Sequence, residues 1–221
     1  EGGQIETPAP GLAPEYFVTT EVGWRSQRDF GSAAIAWFHT RIRNQIIRTP
    51  TGNRVDGLEE VTKRNSGSGY VHGLELAGSL QLPRAWTLTG GLTWMEGELD
   101  TYPAANSPRL VRAPLSRVMP LTGHVALRWA PPSTRGWAEG AVRAAARQDR
   151  LAPSDRVDTE RIPTYGTPGY GVAQLRAGWH PSPAWSLVVA LENLSDEDYR
   201  IHGSGVNEPG RNLVLSADHR F

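Results

Sequence analysis

The residues equipped for chemistry in this chain are spread out rather than gathered. Six histidines, His39, His72, His124, His180, His202 and His219, stand far apart, and none has a partner four residues away on a helical pattern to hold zinc. There is no GxSxG, HExxH or phosphate-loop motif. Gly67-Ser68-Gly69 has loop composition, not the spacing of a phosphate cradle. The carboxylates at 155–160 and 195–198 read as solvated rims, and their spacing fits no calcium loop. There is no cysteine, hence no disulfide framework and no thiolate metal site. No cofactor, no metal and no enzymatic step is expected. What remains is arginine: Lys63 is the only lysine. Arg109, Arg112 and Arg117 lie in one long polar segment. A guanidinium is a rigid planar fork suited to carboxylate or phosphate oxygens, so these three, with Arg211 and with His202 in its HGSG loop, are the candidate contacts for a small anionic ligand. The same arginines could equally serve phosphates at a surface or neighbouring loop acids.

The elements that must carry these residues are strands. The chain of 221 residues has zero formal net charge and a mean hydropathy of −0.43. That gives no support for nucleic-acid binding. No run approaches the roughly 18 apolar residues of a membrane helix. Instead the sequence alternates with a period of two. Tyr16, Val18, Thr20, Val22 and Trp24 oppose Phe17, Thr19, Glu21, Gly23 and Arg25. A second run sets Ala34, Ala36, Phe38, Thr40 and Ile42 against Ile35, Trp37, His39, Arg41 and Arg43. Further runs start near Tyr70, Trp86, Leu121, Ala138, Ala173, Trp185 and Leu213. The run at Ala138 is rich in alanine, and helix competes with strand there. Nine strands result, each expected to have one apolar and one polar face. From parity, Leu88, Leu92, Leu127, Leu175, Leu187 and Leu215 should share a convex face. Glu75, Thr89, Arg128, Glu139, Arg143, Arg176 and Glu192 should share a concave one.

The links between runs alternate. Short turns (26–29, 83–85, 131–136, 181–183) alternate with long polar segments (49–69, 100–118, 149–169, 193–211). Short turns at one end and long loops at the other, with apolar-out and polar-in strands, are the pattern of an outer-membrane β-barrel. Charged inner faces would be wrong for the packed interior of a sandwich. Trp24, Trp86, Trp137 and Trp185 adjoin short turns and should form an interfacial girdle, with Trp94 in the opposite one. The expected fold is all-β, an antiparallel up-and-down meander of about nine strands. An arginine at Leu187 should cost roughly 2–4 kcal/mol if that position lies near the bilayer midplane.

The last thirty-seven residues resemble the C-terminal hairpin of TonB-dependent outer-membrane receptors. The matching residues are Glu192, Asn193, Leu194, Asp196 and Tyr199, then Pro209-Gly210-Arg211-Asn212, then Arg220-Phe221. Leu12-Ala13-Pro14-Glu15 with Glu21 and Gly23, Gly73-Leu74-Glu75, and Thr167-Pro168-Gly169-Tyr170 extend the likeness upstream. In the family the closing strand is read by the barrel-assembly machinery; here that signal would be Leu213, Leu215, Ala217, His219 and Phe221, with His219 where an aromatic is usual. The resemblance implies that residues 1–221 are the C-terminal part of a barrel of roughly 22 strands. A plug domain, a TonB box and earlier strands would then lie upstream of Glu1, where no initiator Met or signal is seen. It implies an outer-membrane location and partners to match: membrane lipid and lipopolysaccharide, the receptor's own plug, TonB, and a scarce nutrient such as a ferric siderophore. A passive porin-like barrel and a soluble secreted β-sandwich binding module are the competing readings.

Overall fold

Alternation by two over most of the chain produces a single twisted sheet. The structure is a computed structural model describing residues 3–220. It contains eleven strands: β1 (Gln4–Thr7), β2 (Tyr16–Arg28), β3 (Gly31–Val55), β4 (Leu58–Leu82), β5 (Trp86–Thr101), β6 (Val111–Pro114), β7 (Thr122–Trp129), β8 (Gly136–Ala145), β9 (Tyr170–Trp179), β10 (Trp185–Glu192) and β11 (Asn212–His219). The sheet order is β11-β10-β9-β8-β7-β5-β4-β3-β2, so the nine expected runs are neighbours in sequence order and antiparallel throughout. All lie in one sheet, which leaves no second layer for a sandwich. Residues 136–145 form a strand despite their alanines, because both neighbours offer full ladders to it. β6 pairs with β5, and β1 pairs in parallel with β4.

The expected loop at 49–69 is instead a continuation of β3 and β4, each 25 residues long. The turn is Asp56-Gly57, with φ of 52° and 81°. Positive φ at both central residues is what a type I′ hairpin requires, and Asp-Gly is among the pairs that supply it. Polar residues join the ladder because they find cross-strand partners. Arg54 pairs with Glu59 at 2.8 Å, and Thr49 stands opposite Thr62. Glu6 of β1 is held by Lys63 at 3.3 Å and Arg48 at 2.9 Å. Those two cations lower its carboxyl below the usual value. At about 3.3 Å per residue the hairpin reaches far beyond a bilayer core of about 30 Å.

Register assigns the faces. Leu88 stands opposite Leu127, Leu127 opposite Gly140, Gly140 opposite Leu175, Leu175 opposite Leu191, and Val189 opposite Leu215. Directly opposed residues share a face, so the six leucines lie together. Thr93 faces Glu75, Arg128 faces Glu139, and Glu139 faces Arg176, on the other side. β3 departs from the expectation of one apolar and one polar face. Ile35 and Trp37 point to the apolar side, but Phe38 and Ile42 lie on the polar one.

The tryptophans need one correction. Trp137 is opposite Gly178 and lies on the polar face, where the Arg128 guanidinium stacks 3.8 Å from its ring centroid. Its place on the apolar side is taken by Trp129 and Trp179, and Trp129 lies 6.4 Å from Trp86. Trp137 follows a glycine that starts the strand, so nearness to the turn does not decide its face; parity does.

Three rings on the polar face each lie over a glycine of the neighbouring strand: Phe38 over Gly73, His124 over Gly91, Trp137 over Gly178. A Cβ at Gly178 would come 2.3 Å from the Trp137 indole nitrogen. Gly178→Ala is therefore expected to push the ring off Arg128 and cost about 1–3 kcal/mol, read as a lower melting midpoint in detergent. The change should cost little in a Trp137→Ala background.

Candidate functional site

The polar wall carries an alternating line of charge. Arg128 of β7 is 3.7 Å from Glu139 of β8, and Arg176 of β9 is 3.8 Å from Glu192 of β10. Glu139 and Arg176 are register partners, which makes the line continuous across four strands. These groups are partly exposed, so each pair adds about 0–1 kcal/mol. Their main effect is to keep the wall hydrated. A shallow depression of about 740 Å³ on this wall is bordered by Glu21, Arg25, Glu75, Thr93, His124 and Arg143.

At the long-loop end three connections are knitted into a small core. The loop after β8 carries the short helix α1 (Pro153–Val157), whose Asp155 is buried. Its carboxylate accepts from Ser116 Oγ at 2.5 Å and from the Arg117 backbone N–H at 3.1 Å. Arg117 reaches Asp158 at 3.0 Å, and Arg161 reaches the same carboxylate at 3.1 Å. Burial pushes the Asp158 pKa up, but Arg161 and Arg117 outweigh it and hold the carboxyl below its ordinary range. Gln148 donates to the Val118 carbonyl at 2.7 Å and exchanges backbone bonds with Thr167. Ile162, Leu151 and Ala152 fill the space between, all buried.

His202, from the last long loop, closes this core. It is 6% exposed, and its Nδ1 lies 2.8 Å from Thr167 Oγ1. Burial lowers its pKa below 6.5; the Asp155 charge opposes the shift and Arg117 adds to it. A depressed histidine pKa means that the native state prefers neutral imidazole. The stabilisation is complete above 6.5 and is lost as pH falls through the lowered folded value. Amide exchange at 148–167 and 199–205, corrected for intrinsic rate, should therefore quicken on moving from pH 7.5 to pH 5. His202→Asn should abolish that dependence.

The run Glu192 to Tyr199 acquires a physical role residue by residue. Asn193 is buried, with φ of 49°, and its amide donates to the Glu197 and Pro209 carbonyls at 2.9 and 3.1 Å. Its side-chain oxygen accepts from the Glu197 N–H at 2.9 Å. The Leu194 N–H reaches back to Ala173, and the Leu194 carbonyl accepts from Arg211 Nε at 3.0 Å. Asp196 accepts the Arg211 N–H at 2.7 Å. Tyr199 packs at a tilt against Tyr170, with ring centroids 4.4 Å apart, and accepts from Arg143 at 2.8 Å. Asn193→Ala would leave the Glu197 N–H and the Glu197 and Pro209 carbonyls without their side-chain partner and cost about 1–3 kcal/mol. Asn193→Asp, which keeps the acceptor, should cost less in the same melting measurement.

Of the five candidate ligand contacts, four are engaged within the protein. Arg112 forms a two-pronged pair with Asp100 at 2.7 and 2.9 Å, Arg117 and His202 belong to the loop core, and Arg211 ties the terminal loop. Arg109 is exposed on the outer loop. None of the five lines a cavity of about 910 Å³ at the long-loop end. That space lies between the tall hairpin, the segment after β5, and α1. Arg48, Tyr102, Glu160 and Arg161 border it. Arg48 stands just before the segment expected to be a loop, 49–69, and Arg161 lies in the long segment 149–169, just past the carboxylates read as a solvated rim; no motif or spacing singled out either one. No cluster of three or more His, Asp or Glu able to hold a metal ion occurs among the described residues.

Of the closing-strand residues, Leu213, Leu215, Ala217 and His219 share the apolar face with Trp185. His219 packs at a tilt against Trp185, with ring centroids 4.5 Å apart, so an imidazole fills the position where an aromatic was expected. Phe221 lies outside the described residues.

A sequence model of the family described as TonB dependent receptor-like, beta-barrel, matches residues 1–194. Among solved structures, the FrpB iron transporter from Neisseria meningitidis is similar, with a TM-score of 0.76 and 18% identity over 98% of this chain and 33% of its own. Copper transporter OprC has a TM-score of 0.73 and 20% identity over 95% of this chain and 32% of its own. The ferric enterobactin receptor PfeA from Pseudomonas aeruginosa has 0.69 and 20%, over 96% and 32%. The chain thus spans about a third of each. No curated protein matches it.

Proposed function

The chain belongs to the TonB-dependent receptor β-barrel family of the Gram-negative outer membrane, and from that premise we propose that it is the C-terminal part of a receptor that imports a scarce nutrient, most simply a ferric siderophore. The observation that carries this is the family match over residues 1–194. β2 and β11 each have one ladder partner among the described residues. A membrane barrel leaves no open edge, so these edges call for further strands, as the length of the solved relatives also suggests.

In this reading the wall of Arg128, Glu139, Arg176 and Glu192 faces the hydrated lumen and meets the receptor's own plug domain, and TonB acts through the plug. The apolar face meets lipid. Leu213, Leu215, Ala217 and His219 of β11, with the terminal Phe221, are the residues that the barrel-assembly machinery reads. Arg109 is exposed toward incoming anionic ligand, with Arg48 and Arg161 bordering the adjacent cavity. Arg112, Arg117, Arg211 and His202 hold the loops in shape for it. Chemistry on the ligand is not part of the proposal.

Iron and copper are separated by measuring uptake of labelled iron chelates and of copper in cells with and without the full-length gene, and with and without TonB. TonB-dependent loss of ferric siderophore uptake is expected. Loss of copper uptake alone would replace the iron reading, and uptake that persists without TonB would favour a passive pore.

A further inference from the structure

Two histidines that stand far apart in the sequence meet on the apolar side of the sheet. His39 of β3 is the register partner of His72 of β4. Their rings stack, with centroids 6.2 Å apart and planes 20° apart. Trp37 lies 6.2 Å from His39, Tyr70 lies 5.3 Å from His72, and Trp94 lies 5.4 Å from His72. These flanking rings hold the two imidazoles side by side. Both are half-buried, and neither has a hydrogen bond or an ion pair among the described residues. His202, by contrast, is engaged by Thr167.

The height of the pair decides what can reach it. On β5, Trp86 at the short-turn end and Trp94 are eight positions apart, or about 27 Å along the strand. At a tilt of about 40° that spans most of the roughly 25 Å that a barrel presents to lipid. Trp94 shares its row with Leu74 and Trp37, and His72 and His39 lie two positions further toward the long loops. The pair therefore sits at headgroup level, within reach of water and dissolved cations.

Directly opposed side chains in an antiparallel pair have Cβ atoms about 4.5–5.5 Å apart, close enough for two imidazoles to share one ion. A cation about 2.0–2.1 Å from one nitrogen of each ring would bring the centroids to roughly 5 Å. The observed separation of 6.2 Å is wider by an amount that small rotations of both side chains close. Neutral imidazole suits copper, nickel and zinc. Water fills the remaining positions, so no third side chain is needed. Glu96 is opposite His72, but Arg150 engages it. Tyr70, in the next row, stands between Arg41 and Glu98. The charges of Arg41, Arg150, Glu96 and Glu98 cancel, so no net charge around the pair opposes a cation.

We propose that His39 and His72 form a two-point site for a divalent transition cation, copper before nickel or zinc. A bound ion clamps β3 to β4, the two 25-residue strands, at the level where they leave the membrane. The site is on the outer wall, so the proposal is independent of the nutrient imported through the lumen.

The test uses the untagged full-length receptor in detergent, with Cu²⁺, Ni²⁺ or Zn²⁺ alone as probe. Spin-echo spectra with one equivalent of Cu²⁺ count the coordinating imidazole nitrogens. The wild type should show two on one ion. H39Q and H72Q should each show at most one, with binding weakened about tenfold or more, because the second arm of the chelate is gone. Ni²⁺ or Zn²⁺ should raise the melting midpoint of the wild type, since the ion binds the folded state, and leave that of H39Q/H72Q unmoved. H180Q, at the short-turn end, should behave as the wild type. Heat modifiability on gels reports whether each variant is folded. A wild-type spectrum with one nitrogen or none overturns the proposal. So does a two-nitrogen signal, or a midpoint shift, that persists unchanged in the folded H39Q/H72Q variant. A cargo ion held in the lumen would be common to wild type and variant, so the nutrient reading and this one fail separately.

Discussion

Arginine at Leu175 is expected to lower the folding free energy of the barrel in a bilayer by about 2–4 kcal/mol, while arginine at Leu187 costs about 0–1 kcal/mol. The pair separates depth from mere apolarity. Leu175 is four positions along β9 from the girdle residue Trp179, and stands between Gly140 and Leu191 on the apolar face. That is the middle of the band from girdle to girdle. A guanidinium there must either desert water or distort the bilayer. Leu187 stands opposite Trp179 and two positions from Trp185, so an arginine there needs only a short snorkel to the headgroups. Leu187 therefore lies away from the midplane, the condition on which a cost of roughly 2–4 kcal/mol there depended. Reversible unfolding in lipid vesicles measures both variants. Equal costs would mean that the two positions lie at the same depth, and the girdle assignment would fail.

The legible part of the molecule was whatever obeys a local rule. Strand parity is local, so the shared face of Leu88, Leu127, Leu175 and Leu215 was readable from spacing. Links were legible when short. The tall hairpin was missed because polar composition in 49–69 was weighed above one dipeptide, Asp56-Gly57, that marks a tight turn between strands. Trp137 was misplaced because nearness to a turn was used where its odd–even relation to Ala138 and Val142 would have decided the face. The loop core was not legible at all. The contacts of Asp155 with Ser116, and of His202 with Thr167, join residues 39 and 35 positions apart. No spacing rule links them, and of the arginines that looked free in sequence the core uses Arg117. Arg41 and Arg43 looked like ordinary strand charges, and only register shows that they point away from the wall that carries the other ion pairs.

Expressed alone in water, the 221-residue chain is expected to aggregate or to pair edge to edge, and to become monodisperse only with detergent or lipid. The argument is about where apolar surface goes. Across the nine-strand wall the large apolar side chains are exposed: Val22 66%, Leu175 50%, Trp179 55% and Leu215 72%. The buried set is small and sits mainly at the long-loop end, around Ile47, Val61, Leu151 and Ile162. The opposite face cannot form a core by folding over, because it carries Arg128, Glu139, Arg143, Arg176 and Glu192, whose burial would cost more than the apolar gain. β2 and β11 also present backbone donors and acceptors with no partner strand among the described residues, a template for a second copy. Size-exclusion chromatography with light scattering, without and then with detergent, gives the readout, and infrared amide bands report whether the strands persist. A cooperatively melting monomer in plain buffer would require the apolar face to be buried within one chain. This register does not allow that, and the lipid-facing assignment would then have to be given up.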